Sequence, residues 1–348
     1  MKLNTSIQYL DYYVPSNFVL VDEILELNKE ALLGSNQTLD EGIQQFKDQS
    51  GLNRISVFGP KEDIATIAAE MVGQLLNTTR VQPAKIKYLI CGNPVLMEGS
   101  VSVIHYVQRK HRLTHCPILP LFQPCASTAI AMGLSEKLLD KSAEEYLLVV
   151  TARKCRDLAN RYVGYTIYAD GVGVSLVGNV PGRASLRNWC WLNNGATSLE
   201  RMEGAGGLPN VGKLRWNIVR NGVAFLRGSL EEMGLELTDV DRIIHPNTYF
   251  DVFHKLYADL LGVPPEKFYL DNMSFGGHIN DVDLVRNTKD YLDALPLRDK
   301  ASTALIYAID LSESLDTNYH LLQLDIETTE RAGIASRYRS EDFDNHRE

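Results

Sequence analysis

Leu119-Pro-Leu-Phe-Gln-Pro-Cys-Ala-Ser-Thr-Ala-Ile-Ala-Met-Gly-Leu134 decides the fold of this chain. The stretch opens as an apolar run, turns at Gln123-Pro124 and continues as a helix. Apolar residues occupy most faces of that helix (Ala126, Ala129, Ile130, Ala131, Met132, Leu134, Leu138, Leu139). A helix apolar nearly all round is buried, not laid on a surface. Its one reactive side chain, Cys125, falls where the helix starts. Unpaired N–H groups and the positive end of the helix dipole there favour a thiolate. A cysteine on such a strand–turn–helix elbow suits a nucleophile. The same place also suits a small buried hydrophobe, as free cysteines often are.

A chain of 348 residues can bury a large core and is expected to hold two domains or two fused halves. Its 45% hydrophobic and 23% charged residues are those of an ordinary soluble globular protein. A net charge of −9 argues against nucleic acid as a partner, because phosphate binding needs a basic surface. The N-terminal residues lack the apolar core of a signal peptide, and no apolar run approaches the ~18 residues of a membrane span. The expected location is cytoplasmic. The five cysteines (91, 116, 125, 155, 190) lack paired metal-ligand spacing, so reduced thiols and no metal site are expected.

Outward from the elbow, the chain alternates strands and helices. Strands are expected at 6–13, 85–91, 116–122 and 145–151, with a Gly-punctuated turn and strand over 168–178. Helices are expected at 22–33, 62–76 and 101–111, and a turn at Gly51-Leu-Asn-Arg54. With a boundary near residue 180, the second half (181–348) repeats the order of the first (1–180). Its helix at 224–234, strand at 242–245, helix at 250–262, strand at 267–270 and strand at 302–308 follow the same sequence of types. Gly276-Gly277-His278 then occupies the place of the cysteine elbow. His245 follows Cys91 by 154 positions (245 − 91), and His278 follows Cys125 by 153 (278 − 125). One register shared by two units implies an internal duplication. A pseudo-twofold between the halves brings the elbows together, His278 facing Cys125 with His245 close by at the end of a neighbouring strand.

With these features the chain resembles the thiolase superfamily, specifically the β-ketoacyl-ACP synthase III-like enzymes. The resemblance is carried by Val14-Pro-Ser-Asn17, Gly51-Leu-Asn-Arg54, the Cys125 elbow, Ala169-Asp-Gly-Val-Gly173, Arg220-Asn-Gly-Val223 and His245-Pro-Asn247. It implies an α/β, thiolase-like duplicated αβαβα sandwich with an internal pseudo-twofold. It also implies a dimeric cytoplasmic enzyme whose Cys125 takes an acyl group, as a thioester, from coenzyme A or acyl carrier protein. The acyl thioester is the substrate, and no cofactor is implied. Ketosynthase III enzymes carry Gly-Asn where this chain has Gly277-His278. The Gly-His form, with Asp283 five residues on, resembles the acyltransferase branch found in polyketide pathways. That branch moves an acyl group to a hydroxyl, amine or thiol without forming a carbon–carbon bond. The family's C-terminal Gly-rich loop is replaced by Ile309-Asp-Leu-Ser-Glu-Ser-Leu315, which leaves a second oxyanion donor unassigned.

The expected roles follow from the chemistry of each group. Cys125 attacks the thioester, with backbone N–H groups at the elbow, its own included, holding the oxyanion. His278 is the base. Asp283 orients His278 as a triad acid does; Asn280 and Asp281 are alternatives, and an acid in a helix's first turn is also favoured by the dipole alone. His245, paired with His278, could stabilise an enolate in a rival Claisen condensation, or simply bond backbone at a strand end. Asn247 and Asn280 are candidate substrate contacts. Asp170-Gly-Val-Gly173 reads as a structural turn, since it opens a strand and not a helix. The basic residues 109–112, Lys213, Arg215, Arg220 and Arg227 could receive an acidic carrier protein or coenzyme A phosphates, or be plain solvated surface. Trp189, Trp191 and Trp216 line a pocket or pack the core. A third possibility is a non-catalytic subunit paired with an active paralogue, so homodimer and heterodimer both stand.

Overall fold

The computed structural model describes residues 1–32, 38–92, 97–98, 101–164, 166–194, 211–248, 251–274, 276–295, 301–311 and 317–327. In chain order the first half contains β1 (Lys2–Tyr13), β2 (Phe18–Leu20), α1 (Val21–Leu27), α2 (Lys29–Leu32), α3 (Leu39–Ser50), β3 (Arg54–Ser56) and α4 (Ile64–Thr79). It continues with β4 (Ile86–Gly92), β5 (Met97–Glu98), β6 (Val101–Ser102), α5 (Val103–Lys110), β7 (Ile118–Leu121), α6 (Ser127–Leu138), β8 (Tyr146–Arg153) and β9 (Gly171–Gly178). The second half contains β10 (Ala184–Asn194), α7 (Val211–Met233), β11 (Arg242–Ile244), α8 (Asp251–Leu261), α9 (Val282–Ala294), β12 (Ser302–Leu311) and β13 (Thr317–Ile326).

Among the described residues the main sheet has nine strands in the order β11-β12-β13-β10-β1-β9-β8-β4-β7. The seam is the antiparallel pair β1–β10, registered at Ser6 and Ser185. Outward from it, each half repeats two antiparallel pairings and then a parallel one: β1–β9, β9–β8, β8–β4 on one side, β10–β13, β13–β12, β12–β11 on the other. Tyr146–Ala152 of β8 and the whole of β9 are buried, which is why those runs carry little polar side chain.

The layers follow from which apolar face each helix has to hide. The apolar side of α4 (Ala65, Ala68, Val72, Leu75), with α5, packs on β4, β8 and β9. Helices α7 and α8 pack on β11, β12 and β13 through Leu226, Leu230, Tyr257 and Leu261. Between the halves lie the two elbow helices. Ala126, Ala129 and Met132 of α6 and Leu284, Val285 and Tyr291 of α9 share one core with strands of both halves. The result is the duplicated αβαβα sandwich.

Differences from the sequence reading are local and have physical causes. The segment 22–33 divides into α1 and α2, because Asn28 leaves the helical region and its side chain donates to the Ile24 carbonyl. Helix α7 begins at Val211, well before residue 224. The expected strand at 267–270 is reduced to a 3-10 turn, Pro265–Lys267, and a single parallel bridge between Ile243 and Phe268. The N–H groups of Lys267 and Phe268 turn back to the carbonyls of Pro264 (2.9 Å) and Pro265 (3.0 Å), so they are not free for a ladder. Residues 34–37, Asn93-Pro94 and Ser312–Leu315 lie outside the described residues. No helix among the described residues is long and apolar enough to cross a membrane.

Candidate active site

Cys125 is half-buried at the end of the turn between β7 and α6. Helix α6 comes unusually close to β10: a Cβ on Gly133 would fall 2.2 Å from the Trp189 ring, so only glycine fits. The helix is tied to β1 by the Asn4 N–H donating to Glu136 (2.7 Å) and by the Thr5–Ser135 hydroxyl pair (2.7 Å). Its position is therefore set before any substrate arrives.

The second elbow brings His278 against it. Gly276 and Gly277 take φ of +84° and +88°, and a Cβ on Gly277 would lie 2.6 Å from that of Ala169. The strand-like bonds around His278 (Ala169 N–H to His278 carbonyl, 2.9 Å; His278 N–H to Ile167 carbonyl, 3.0 Å) fix its backbone. Its Nε2 lies 3.5 Å from Cys125 Sγ, and its Nδ1 lies 2.5 Å from Asp283 Oδ2. Nδ1–H donates to the carboxylate, which leaves the Nε2 lone pair facing the thiol. The Tyr168 ring stacks on the imidazole at 5.7 Å, and the Arg153 guanidinium lies over the Tyr168 ring, 4.0 Å from its centre.

Asp283 is fully buried and held from several directions. It accepts the backbone N–H groups of Asn247 (2.9 Å) and Ile279 (3.2 Å) and the Asn247 side-chain amide (3.3 Å). Asn287 in turn donates to the Asn247 side-chain oxygen (2.9 Å) and the His245 carbonyl (2.7 Å). Asn247, expected as a substrate contact, thus spends its polar groups on Asp283 and Asn287. It holds the acid in place.

Of the two alternatives to Asp283, Asp281 is engaged elsewhere. It accepts the Thr128 N–H on both oxygens at 2.9 Å and the Thr128 hydroxyl at 2.5 Å, capping a helix whose own N-cap, Ala126, has no side chain to do so. Burial pushes its carboxyl up to about 7, against the lowering effect of the Thr128 bonds. Asn280 is buried with φ of +52°, and its Oδ1 has no hydrogen-bond partner among the described residues.

His245 is buried with Nδ1 2.6 Å from the Pro246 carbonyl, the strand-end backbone bond that was one of its two readings. Its ring lies 4.0 Å from that of His254 on α8, a neighbour that no spacing in the sequence signalled. Its Nε2 is buried without a partner among the described residues, and burial lowers its pKa to about 4, so the ring is neutral.

The expectation of a dipole-favoured thiolate is corrected. Burial first, then the charges of Asp310, Asp283 and Asp281, push the Cys125 thiol well above its ordinary range, with Arg153 opposing. The N–H groups that would have favoured a thiolate are already spent. Thr128 N–H goes to Asp281, and Cys125 N–H donates to Asp310 Oδ1 at 3.0 Å. Cys125 N–H, expected as an oxyanion donor, is therefore occupied by a carboxylate from β12. Departure from a Gly-rich loop at this point was the only sequence signal.

The remaining residues sort plainly. Asp170 is structural: Arg161 holds both its oxygens at 2.9 Å, and the N–H groups of Phe58 and Cys155 donate to it. Trp189 is core, its ring beside that of His320, whereas Trp191 and Trp216 are exposed. Trp189 and Trp191 line an open groove of about 390 Å³ with Met1, Leu192 and Phe225. Arg109, Lys110, Arg112, Arg220 and Arg227 lie on the surface; the side chains of Lys213 and Arg215 lie outside the described residues. Cys91, Cys116 and Cys190 are buried, but Cys155 is only partly so.

No protein-family model and no curated relative matches the chain. Solved structures do. The acyltransferase ChlB3 superposes with a TM-score of 0.73 at 16% identity, over 93% of this chain and 98% of that one. The 3-oxoacyl-[acyl-carrier-protein] synthase III of Aquifex aeolicus VF5 gives 0.70 at 16%, over 92% and 99%. The priming β-ketosynthase of the R1128 polyketide pathway gives 0.67 at 16%, over 94% and 97%. At these identities the likeness carries the fold, and the fold of this chain is that of the ketosynthase III-like enzymes of the thiolase superfamily.

Proposed function

We propose that this protein is an acyltransferase that takes an acyl group from an acyl-CoA or acyl carrier protein thioester onto Cys125 and passes it to an acceptor nucleophile. The observation that carries this reading is the Cys125–His278–Asp283 line, with Sγ to Nε2 at 3.5 Å and Nδ1 to Oδ2 at 2.5 Å. His278 Nε2 takes the thiol proton as Sγ attacks. The Sγ–C bond forms and the carbonyl π pair moves to oxygen. When that pair returns, the C–S bond to the carrier breaks, and the leaving thiolate takes the proton from His278. In the second half, Nε2 deprotonates the acceptor hydroxyl, amine or thiol as it bonds to the acyl carbon; the C–Sγ bond then breaks, and Cys125 takes the proton back from His278. A thiol that is neutral at rest requires such a base, because little thiolate forms unaided. Asp283 keeps the Nδ1–H tautomer and stabilises the imidazolium.

Claisen condensation is the second reading, favoured by the buried Nε2 of His245, which has no partner among the described residues. Intact-mass measurement after incubation with a panel of acyl-CoA and acyl carrier protein thioesters tests the first. An adduct on wild type, absent from Cys125→Ala, is expected. Discharge by alcohols or amines supports transfer; a longer carbon chain formed with a malonyl thioester supports condensation. If no donor labels Cys125, neither reading stands, and a role as the supporting subunit of an active paralogue takes their place.

A further inference from the structure

Resting on the acyl-transfer reading, we infer that Asp310 is an internal stand-in for the substrate oxyanion, and that acylation of Cys125 requires its carboxylate to give up the Cys125 N–H. Three observations converge. The Asp310 Oδ1 lies 3.0 Å from Cys125 N, the distance at which an oxyanion would accept that N–H. The carboxylate is 1% exposed, so water does not compete with it for that N–H. Its backbone is locked opposite Asn318 in the β12–β13 ladder, so the group is delivered to the elbow by the sheet and not by a wandering side chain. An N–H engaged by a full negative charge is a charge-assisted donor, and a neutral thioester carbonyl is a weaker competitor for it.

Two consequences can be separated. The negative charge beside Sγ disfavours the thiolate, which slows attack on any electrophile. Occupation of the N–H slows only attack on a carbonyl, since alkylation develops no oxyanion. The ratio of acylation to alkylation therefore reports what Asp310 does at the carbonyl oxygen, by holding the N–H and by repelling the oxyanion, apart from its effect on the thiolate.

The test uses p-nitrophenyl acetate and iodoacetamide on wild type, Asp310→Asn and Asp310→Ala, reading p-nitrophenolate release and intact mass. Acetylation forms the Sγ–C bond and releases p-nitrophenolate; alkylation forms an Sγ–C bond and releases iodide. Asp310→Asn removes the charge and leaves a neutral acceptor oxygen, a weaker competitor for the Cys125 N–H, so both rates rise and their ratio rises less than in the alanine variant. Asp310→Ala frees the N–H, and the ratio rises about tenfold or more, since one such donor is worth on the order of 10²–10³ in rate. Asp310→Gly serves as the second carboxyl-free variant, and near-UV circular dichroism verifies the fold of each. A ratio unchanged in both Ala and Gly variants, or no acetyl adduct in any protein, overturns the inference. The same variants are given the acyl-CoA panel. A raised ratio with no loading from any carrier thioester sinks the transfer reading alone. Normal loading with an unchanged ratio sinks the role of Asp310 alone.

Discussion

Asp281 receives the Thr128 backbone N–H on both carboxylate oxygens at 2.9 Å, so an acid from the second half caps the nucleophile helix of the first. Two residues on, Asp283 turns the other way and holds His278 at 2.5 Å. Positions two apart in a helical turn do not share a face. One short segment thereby serves both elbows, and it ties the position of Cys125 to that of its base.

Asp283→Asn is expected to lower the acyl-transfer rate by roughly 10³- to 10⁴-fold, because an amide offers Nδ1 the wrong pairing and turns the Nε2 lone pair away from the thiol. The side chains are nearly isosteric, but an amide NH2 turned to Nδ1 also faces the Asn247 N–H that donates to Oδ2, so some stability is lost as well. Stopped-flow loading measured beside thermal unfolding separates the two effects. A large fall in stability with unchanged loading would mean that Asp283 is only structural.

Asp281→Asn changes stability with a definite sign. Burial raises the carboxyl from its ordinary 3.8 to about 7 in the fold. A raised acid binds protons more readily folded than unfolded, so its contribution is most favourable at low pH and is lost as pH rises from about 4 to about 7. The amide carries no such penalty. Melting temperatures of wild type and variant should therefore diverge in the variant's favour between pH 5 and pH 8, and parallel curves would refute the assignment.

Local signals in the chain carried most of this architecture. The elbow at Cys125, the Gly276-Gly277-His278 turn and the shared register of the halves are each contained within a few residues or a fixed offset. Two such signals sufficed to place Cys125 opposite His278. What stayed hidden was the electrostatics of the nucleophile. Helix-terminus reasoning treats the first N–H groups of α6 as free, but Asp281 and Asp310 reach them from 153 and 185 residues away. No window of sequence contains both partners. The missing strand at Phe268 had a local cause, Pro264-Pro265, that was legible and was outweighed by the repeat pattern.

Gly277→Ala is expected to destabilise the protein by about 2 kcal/mol or more, from a left-handed alanine and a displaced neighbour. The new Cβ would stand 2.6 Å from Ala169 Cβ and 2.9 Å from Ile55 Cγ2, and φ is +88°. Relief by local movement carries His278 away from Sγ, so loading of Cys125 falls along with stability. Chemical denaturation and loading measured together test this. A variant of wild-type stability would show that the turn has room that the packing denies.

His320→Gln addresses acid sensitivity. Burial lowers the pKa of His320 from 6.5 to about 4, as it does for His245. A depressed histidine binds protons less readily folded than unfolded. Its neutral burial therefore costs nothing above pH ~6.5 and increasingly destabilises the fold as pH falls from about 6.5 to about 4. His320 Nε2 lies 2.9 Å from Gln123 Oε1 in the turn that precedes Cys125, so Nε2–H is the donor and protonation adds a charge to a ring whose Nδ1 has no partner. Glutamine can donate to Gln123 without titrating. The variant should lose less melting temperature than wild type between pH 7 and pH 4.5, while matching it within a few degrees at pH 7. Because the group reaches the elbow through Gln123, the same acid range should slow wild-type loading more than it slows the variant. Equal acid sensitivity in stability would assign the acid transition to His245 or to other groups.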